Sequence, residues 1–128
     1  RNAYGVLKGV PAGGDALTPE QKRAAVAKLF AAYNALGLTS VADRNAGRDA
    51  LDLYLSLRDA GALTVRVNVA RSLDPTGTRE DVIRRLDALP GADGKGGPTG
   101  VGDDLVKVGP VKMFVDGGML NGTAYMRT

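Results

Sequence analysis

The residue with most to explain is a lysine inside an apolar stretch, Lys112 in Val111-Lys112-Met113-Phe114-Val115-Asp116. Strand alternation puts Lys112, Phe114 and Asp116 on one face and Val111, Met113 and Val115 on the other. Burial disfavours an ammonium, so a lysine in this setting either pairs with a carboxylate or is kept because a neutral amine is chemically useful. Asp43 and Asp116, both at C-terminal ends of predicted strands, could satisfy the first alternative. The second makes Lys112 a candidate site residue. Asp at a strand end can equally cap the following loop, so position alone does not choose.

The rest of the chain removes most other chemistry. Its 128 residues contain no His and no Cys. That excludes a Cys/His zinc site, a Ser/His or Cys/His nucleophile pair, a disulfide and a thiolate-held cluster within this sequence. The glycine-rich run Gly91-Ala92-Asp93-Gly94-Lys95-Gly96-Gly97 has the wrong spacing for a phosphate loop and is followed by Pro98. The dinucleotide pattern beginning at Gly94 meets Thr99 where its third glycine belongs. A flexible connection is the expectation there. Asp103-Asp104 lacks the ligand ladder of a calcium loop and reads as solvated loop. The balance of 17 basic and 14 acidic residues, net +3, is interleaved along the helices, as in Arg48-Asp49, Arg58-Asp59 and Arg79-Glu80-Asp81. With only 5% aromatics, this argues against a nucleic-acid partner.

Candidate residues need elements to hold them. Residues 1–17 read as a loop or arm and residues 18–128 as βα units. Thr18-Pro19-Glu20-Gln21 is a capping box with proline at the first helical position. Val26, Leu29, Phe30, Tyr33 and Leu36 follow at helical spacing, and Gly37 stands where a left-handed residue would end the helix. A short strand is expected over Leu38–Asp43. A helix from Arg48 to Ala60 carries Ala50, Leu53, Tyr54, Leu57 and Ala60 on one face and closes at Gly61. In the strand Thr64–Ala70, Val65, Val67 and Val69 alternate with Thr64, Arg66 and Asn68. A third helix starts at Thr78, presents Val82, Ile83, Leu86 and Leu89, and stops before Pro90. Residues 91–104 read as connection. Val106–Val108 comes next, and Val111–Asp116 is the final strand, before Gly117-Gly118.

Helices alternating with strands require parallel pairing and right-handed crossovers, so the fold class is α/β. An open doubly wound sheet normally wants both faces apolar, whereas a (β/α)8 barrel strand can turn a polar face inward. The polar side of Thr64–Ala70 favours the barrel. A whole barrel takes about 250 residues, so the expectation is a partial (β/α)8 TIM barrel of about three strands. The opening Arg1-Asn2-Ala3 and the ending Met126-Arg127-Thr128 fit an excerpt of a longer chain. No apolar run reaches the ~20 residues of a membrane span and no signal-peptide pattern is visible, giving a cytoplasmic expectation with no membrane partner.

Three blocks then resemble a known family. They are Gly37-Leu38-Thr39-Ser40-Val41-Ala42-Asp43, Val65-Arg66-Val67 after the helix ending Arg58-Asp59-Ala60-Gly61, and Val111-Lys112-Met113-Phe114-Val115-Asp116-Gly117. In this order they resemble amidohydrolase family 3 of the metal-dependent amidohydrolase superfamily over most of residues 18–128. The last block is the most specific. The resemblance implies a barrel hydrolase that uses divalent metal, zinc above all, to activate water against amide or other C–N bonds of a small molecule. It implies that Lys112 is similar to the superfamily's carbamylated, metal-bridging lysine; Asn68 and Asp116 are the further candidate site-lining residues.

The superfamily draws its other ligands from a His-x-His strand, later histidines and an Asp, and this chain has no His. The resemblance therefore implies an interior sector of a catalytic barrel that is inactive alone. A free-standing α/β binding module and one half of a split enzyme are the other readings. The open edges of a partial sheet would also promote self-association.

Overall fold

Thr18 begins the first element in a computed structural model that describes residues 17–91, 99–114, 116–118, 122 and 124–125. All but Leu17 of the expected arm over residues 1–17, and most of the glycine-rich run, lie outside the described residues. The Thr18 hydroxyl accepts from the Gln21 amide at 3.2 Å while the Gln21 side chain accepts from the Thr18 amide at 2.9 Å. This capping box starts α1 (Pro19–Ala35). Gly37, at φ +79°, ends it: the left-handed turn lets the amides of Gly37 and Leu38 reach the carbonyls of Asn34 and Tyr33. Then follow β1 (Ser40–Ala46), α2 (Arg48–Asp59) and β2 (Arg66–Leu73). A second capping box, Thr78 with Asp81, opens α3 (Arg79–Asp87), and β3 (Val101–Gly102) and β4 (Val106–Met113) complete the order.

The sheet has four strands in the order β1-β2-β4-β3. β1, β2 and β4 are parallel neighbours, as the helical crossovers require, while β3 runs antiparallel to β4. The α/β class stands, but the sheet is mixed rather than purely parallel. β3 comes from the segment read as connection. Asp103 Oδ1 accepts from the amides of Leu105 and Val106, both at 2.8 Å, and folds the chain back on itself. Gly102 sits in that turn at φ +133°, where a Cβ would lie 2.2 Å from the Val106 carbonyl oxygen. The two earlier strands begin and end two or three residues later than their β-branched runs suggest.

One face of the sheet forms the core. Val65, Val67 and Val69 beside β1, together with Val106 and Val108 on β4, pack with Leu51, Leu55 and Leu57 of α2 and Phe30 of α1. Leu51, Val65, Val67, Val69, Val106 and Val108 are fully buried. Each such side chain stabilises the fold by roughly 1.5–3 kcal/mol relative to exposure. The buried stripe of α2 is displaced from the expected one: Leu51 and the expected Leu57 lie deepest, Leu55 is buried beside them, and Ala50, Leu53 and Tyr54 stand at the margin. The helix is wedged between the sheet and α1, and the Phe30 and Tyr54 rings stack with centroids 6.3 Å apart. Part of the predicted face of α1 is uncovered, with Leu29 and Leu36 exposed, and α3 buries none of its residues. No helix among the described residues is long and apolar enough to cross a membrane.

Candidate active site

The opposite face of the sheet is where the polar side chains go. β2 alternates without interruption, so Arg66, Asn68, Ala70 and Ser72 turn away from the core that takes Val67, Val69, Arg71 and Leu73. β4 does not. Val69 pairs with Val108, but Arg71 pairs with Val111, so β4 carries one extra residue at Gly109-Pro110. Proline has no amide to give the ladder. Gly109 leaves room for its neighbour, since a Cβ there would come within 2.5 Å of Asn68 Oδ1. Lys107 pairs with Asn68 and Lys112 with Ser72. Five residues apart, the two lysines nevertheless share one face. With regular alternation Lys112 would fall on the side of Val106 and Val108, in the core.

The bulge therefore decides the environment of Lys112. It is half-buried, and its Nζ lies 4.7 Å from the centroid of the Phe114 ring, a cation–π contact. Neither aspartate offered as an ion-pair partner reaches it. Asp43 shares the helix-facing side with its register partner Val69; its carboxylate accepts from the Tyr54 hydroxyl at 3.0 Å and from the Asn45 amide at 3.1 Å. Asp116 lies beyond the end of β4 and accepts from the Tyr125 amide at 3.1 Å.

Beside Phe114, at the C-terminal edge of the parallel strands, is a pocket of about 200 Å³ lined by Asn45, Ser72, Leu73, Asp74, Pro75 and Phe114. Parallel α/β folds place their sites at this edge. Asn45 reaches it from β1, which has a bulge of its own: Asp43 pairs with Val69 but Ala46 with Arg71. Asp74 is occupied structurally. It accepts from the Thr76 amide at 3.0 Å and the Thr76 hydroxyl at 2.9 Å, and these bonds hold its carboxyl below the usual range. Asn68 sits on the same open face, but four residues before Ser72, roughly 13 Å along the strand. It lines a different pocket of about 240 Å³ with Ser40, Arg66, Asp103, Asp104 and Lys107. Thus Lys112, Phe114 and Ser72 come together, while Asn68 and Asp116 lie apart from them.

The sequence model of amidohydrolase family 3 matches residues 1–128, the whole chain. The chain belongs to the amidohydrolase family. No curated protein and no solved structure matches it.

Amidohydrolases are hydrolases that generally use divalent metals, so the donor set of this amidohydrolase sequence can be tested for fit. Among the described residues no three of His, Cys, Asp and Glu come together. At the strand edge Lys112 rests on Phe114 and Asp74 is bound to Thr76. These residues do not by themselves compose a metal centre.

Two features of the amidohydrolase chain escaped sequence reasoning. The first is the pair of bulges, of which Gly109-Pro110 was a legible signal because neither residue suits a strand interior. The second is Arg71, buried on the core face, whose Nη1 donates to the carbonyls of Pro90 at 2.8 Å and Leu89 at 3.3 Å. Burial lowers its pKa from the usual arginine value.

Tyr54 provides a pH test of the helix-facing side. Burial, and then the hydrogen bond to Asp43, push its hydroxyl up to about 12 from 10.0. The folded state thus keeps a proton that the unfolded chain releases near pH 10, so this contribution is intact below pH 10 and is lost as pH rises toward 12. In alkaline unfolding followed by circular dichroism, Tyr54→Phe is expected to flatten the decline in stability above pH 10. An unchanged alkaline slope would contradict the assignment.

Proposed function

We propose that this chain is one sector of a metal-dependent amidohydrolase barrel and contributes Lys112 to a centre whose remaining ligands come from polypeptide outside this sequence. The observation that carries the reading is the Gly109-Pro110 bulge, which turns Lys112 onto the open face beside Ser72 at the C-terminal strand edge. The helices α1 and α2 lie on the core side, and Ser40, Ala42, Arg66, Asn68 and Lys107 are exposed on the other. Parallel strands in sequential spatial order, covered on one side, support a barrel sector over a doubly wound sheet, whose helices cover both faces.

In this reading the Lys112 ammonium gives up a proton and the ε-amine adds to carbon dioxide: a C–N bond forms, a second proton leaves, and the product is an anionic carbamate suited to a divalent cation such as zinc. The substrate class is a small amide or another C–N compound, with Asn68 and Asp116 lining the enclosed space once the barrel is complete. The chain alone is then inactive, and its free strand edges favour self-association.

Isothermal calorimetry with zinc tests the assignment of the missing ligands. The chain and its Lys112→Ala variant are expected to give the same weak, non-stoichiometric heats. One-to-one binding that disappears in Lys112→Ala would show a complete centre within these residues and overturn the sector reading.

A further inference from the structure

β4 has a neighbour on each side, and the one on its far side is short. β3 pairs antiparallel with β4 through Val101 opposite Val108 and Gly102 opposite Lys107. Along this edge the main-chain groups of β4 are taken in turn. The Val106 amide donates to Asp103 Oδ1 at 2.8 Å, the Val106 carbonyl accepts from the Asp103 amide at 3.1 Å, and the Val108 carbonyl accepts from the Gly100 amide at 2.7 Å. The pairing stops at Val108. After Gly109-Pro110, Val111, Lys112 and Met113 pair with β2 and with no other described strand. The bulge thus divides the far edge of β4 into a half that β3 holds and a half that β3 leaves open.

Side chains lock the β3 turn in place. Gly102 approaches β4 so closely that a Cβ would sit 2.9 Å from the Lys107 Cα as well as against the Val106 carbonyl. Asp103 Oδ1 holds the amides of Leu105 and Val106, while its Oδ2 accepts from Arg58 Nη1 at 3.1 Å. Arg58 stands in the last turn of α2 and also pairs with Asp59 at 2.8 Å, so the turn is tied to the helix that packs on the sheet. A strand of two residues makes few ladder bonds of its own, and the charge-assisted bonds of the Asp103 carboxylate, each stronger than a neutral one, supply the hold.

We infer that β3 is a latch: it withholds Val106–Val108 from any further strand, so that the strand that follows in the sheet joins β4 only past the bulge, at Val111–Met113. The existence of that following strand rests on the barrel-sector reading, and the latch adds where its seam with β4 lies. Unpaired amides and carbonyls on a strand edge are a template for pairing. β3 removes the template from the N-terminal half of β4 and leaves it beside Lys112. The next strand is thereby seated at the end of β4 where Lys112 turns to the open face, which is the end that a metal centre shared between strands requires.

Amide hydrogen exchange on the full chain, read by NMR in dilute and in concentrated solution, tests the latch, because a second copy of the chain supplies the competing strand. In the wild-type chain, exchange at Val106 and Val108 is expected to be slow and independent of concentration, while Val111–Met113 gains protection as concentration rises. Asp103→Ala is expected to speed exchange at Val106 about tenfold in dilute solution, since that amide loses a charged acceptor, and concentrated solution should restore the protection. Arg58→Ala, which cuts only the tie to α2, should shift exchange the same way by a smaller factor, and Asp104→Ala, next in the same turn, should behave as wild type. Thermal melts verify that each variant is folded. Concentration-dependent exchange at Val106 in the wild-type chain, wild-type exchange in both Asp103→Ala and Arg58→Ala, equal acceleration in Asp104→Ala, or no effect of concentration anywhere along β4 would each overturn the inference. Zinc calorimetry at Lys112 reads none of these amides, so failure of the latch and failure of the sector reading are separable.

Discussion

Leu51→Ala is expected to remove most of the cooperative stability of this chain. Leu51 has no exposed surface and sits where α2 meets the valines of the sheet. Truncating a fully buried leucine costs about 2–5 kcal/mol, the lost transfer energy plus the cavity left behind. A domain of this size has about 5–15 kcal/mol in total, and a sheet packed on one side belongs toward the low end of that range. Urea titration followed by circular dichroism should show the midpoint collapsing toward zero denaturant. Leu29→Ala on α1, at a site already 45% exposed, is the matched control and should cost less than about 1 kcal/mol. If the two variants unfold at the same midpoint, α2 is not the element that holds the sheet.

Arg71→Ala is expected to cost about 2–4 kcal/mol, through lost charge-assisted hydrogen bonds and lost packing of the side-chain stem. Arg71 occupies a core-facing position of β2 between Val69 and Leu73, yet it reaches the carbonyls of Leu89 and Pro90 after α3. Its removal leaves the Pro90 carbonyl, in a buried residue, without that donor. Burial lowers the arginine pKa, but a guanidinium remains charged through the physiological range. Arg71→Met separates the two contributions, since it restores apolar volume but no donor. It should recover part of the loss in denaturant titrations while amide exchange at Gly91 stays accelerated. Wild-type stability in Arg71→Ala would mean that the segment after α3 is held by other contacts.

The two variants probe opposite kinds of legibility. Local devices were readable because they depend on residues three or four apart: the Thr18 and Thr78 capping boxes, and the left-handed Gly37 and Gly61. The valine alternation at Val65, Val67 and Val69 was readable because a strand has a period of two. Leu51 and Leu55 were missed because the buried arc of α2 depends on α1 as well as on the sheet, and no single-helix period contains that third body. Arg71 was missed because its partners lie 18 and 19 residues away along the chain.

By itself the sequence determined the α/β class, the caps and breaks of its helices, the family to which it belongs, and the exclusion of any centre built from His or Cys. Only the tertiary structure decided which way Lys112 faces. Alternation counted from Val111 is the same whichever side of the sheet that strand shows to the core. The absolute side is set by the register against β2, and one extra residue at Gly109-Pro110 reverses it. Asn68 lying against Gly109, and Lys112 seated on Phe114 rather than on a carboxylate, are consequences of that single shift.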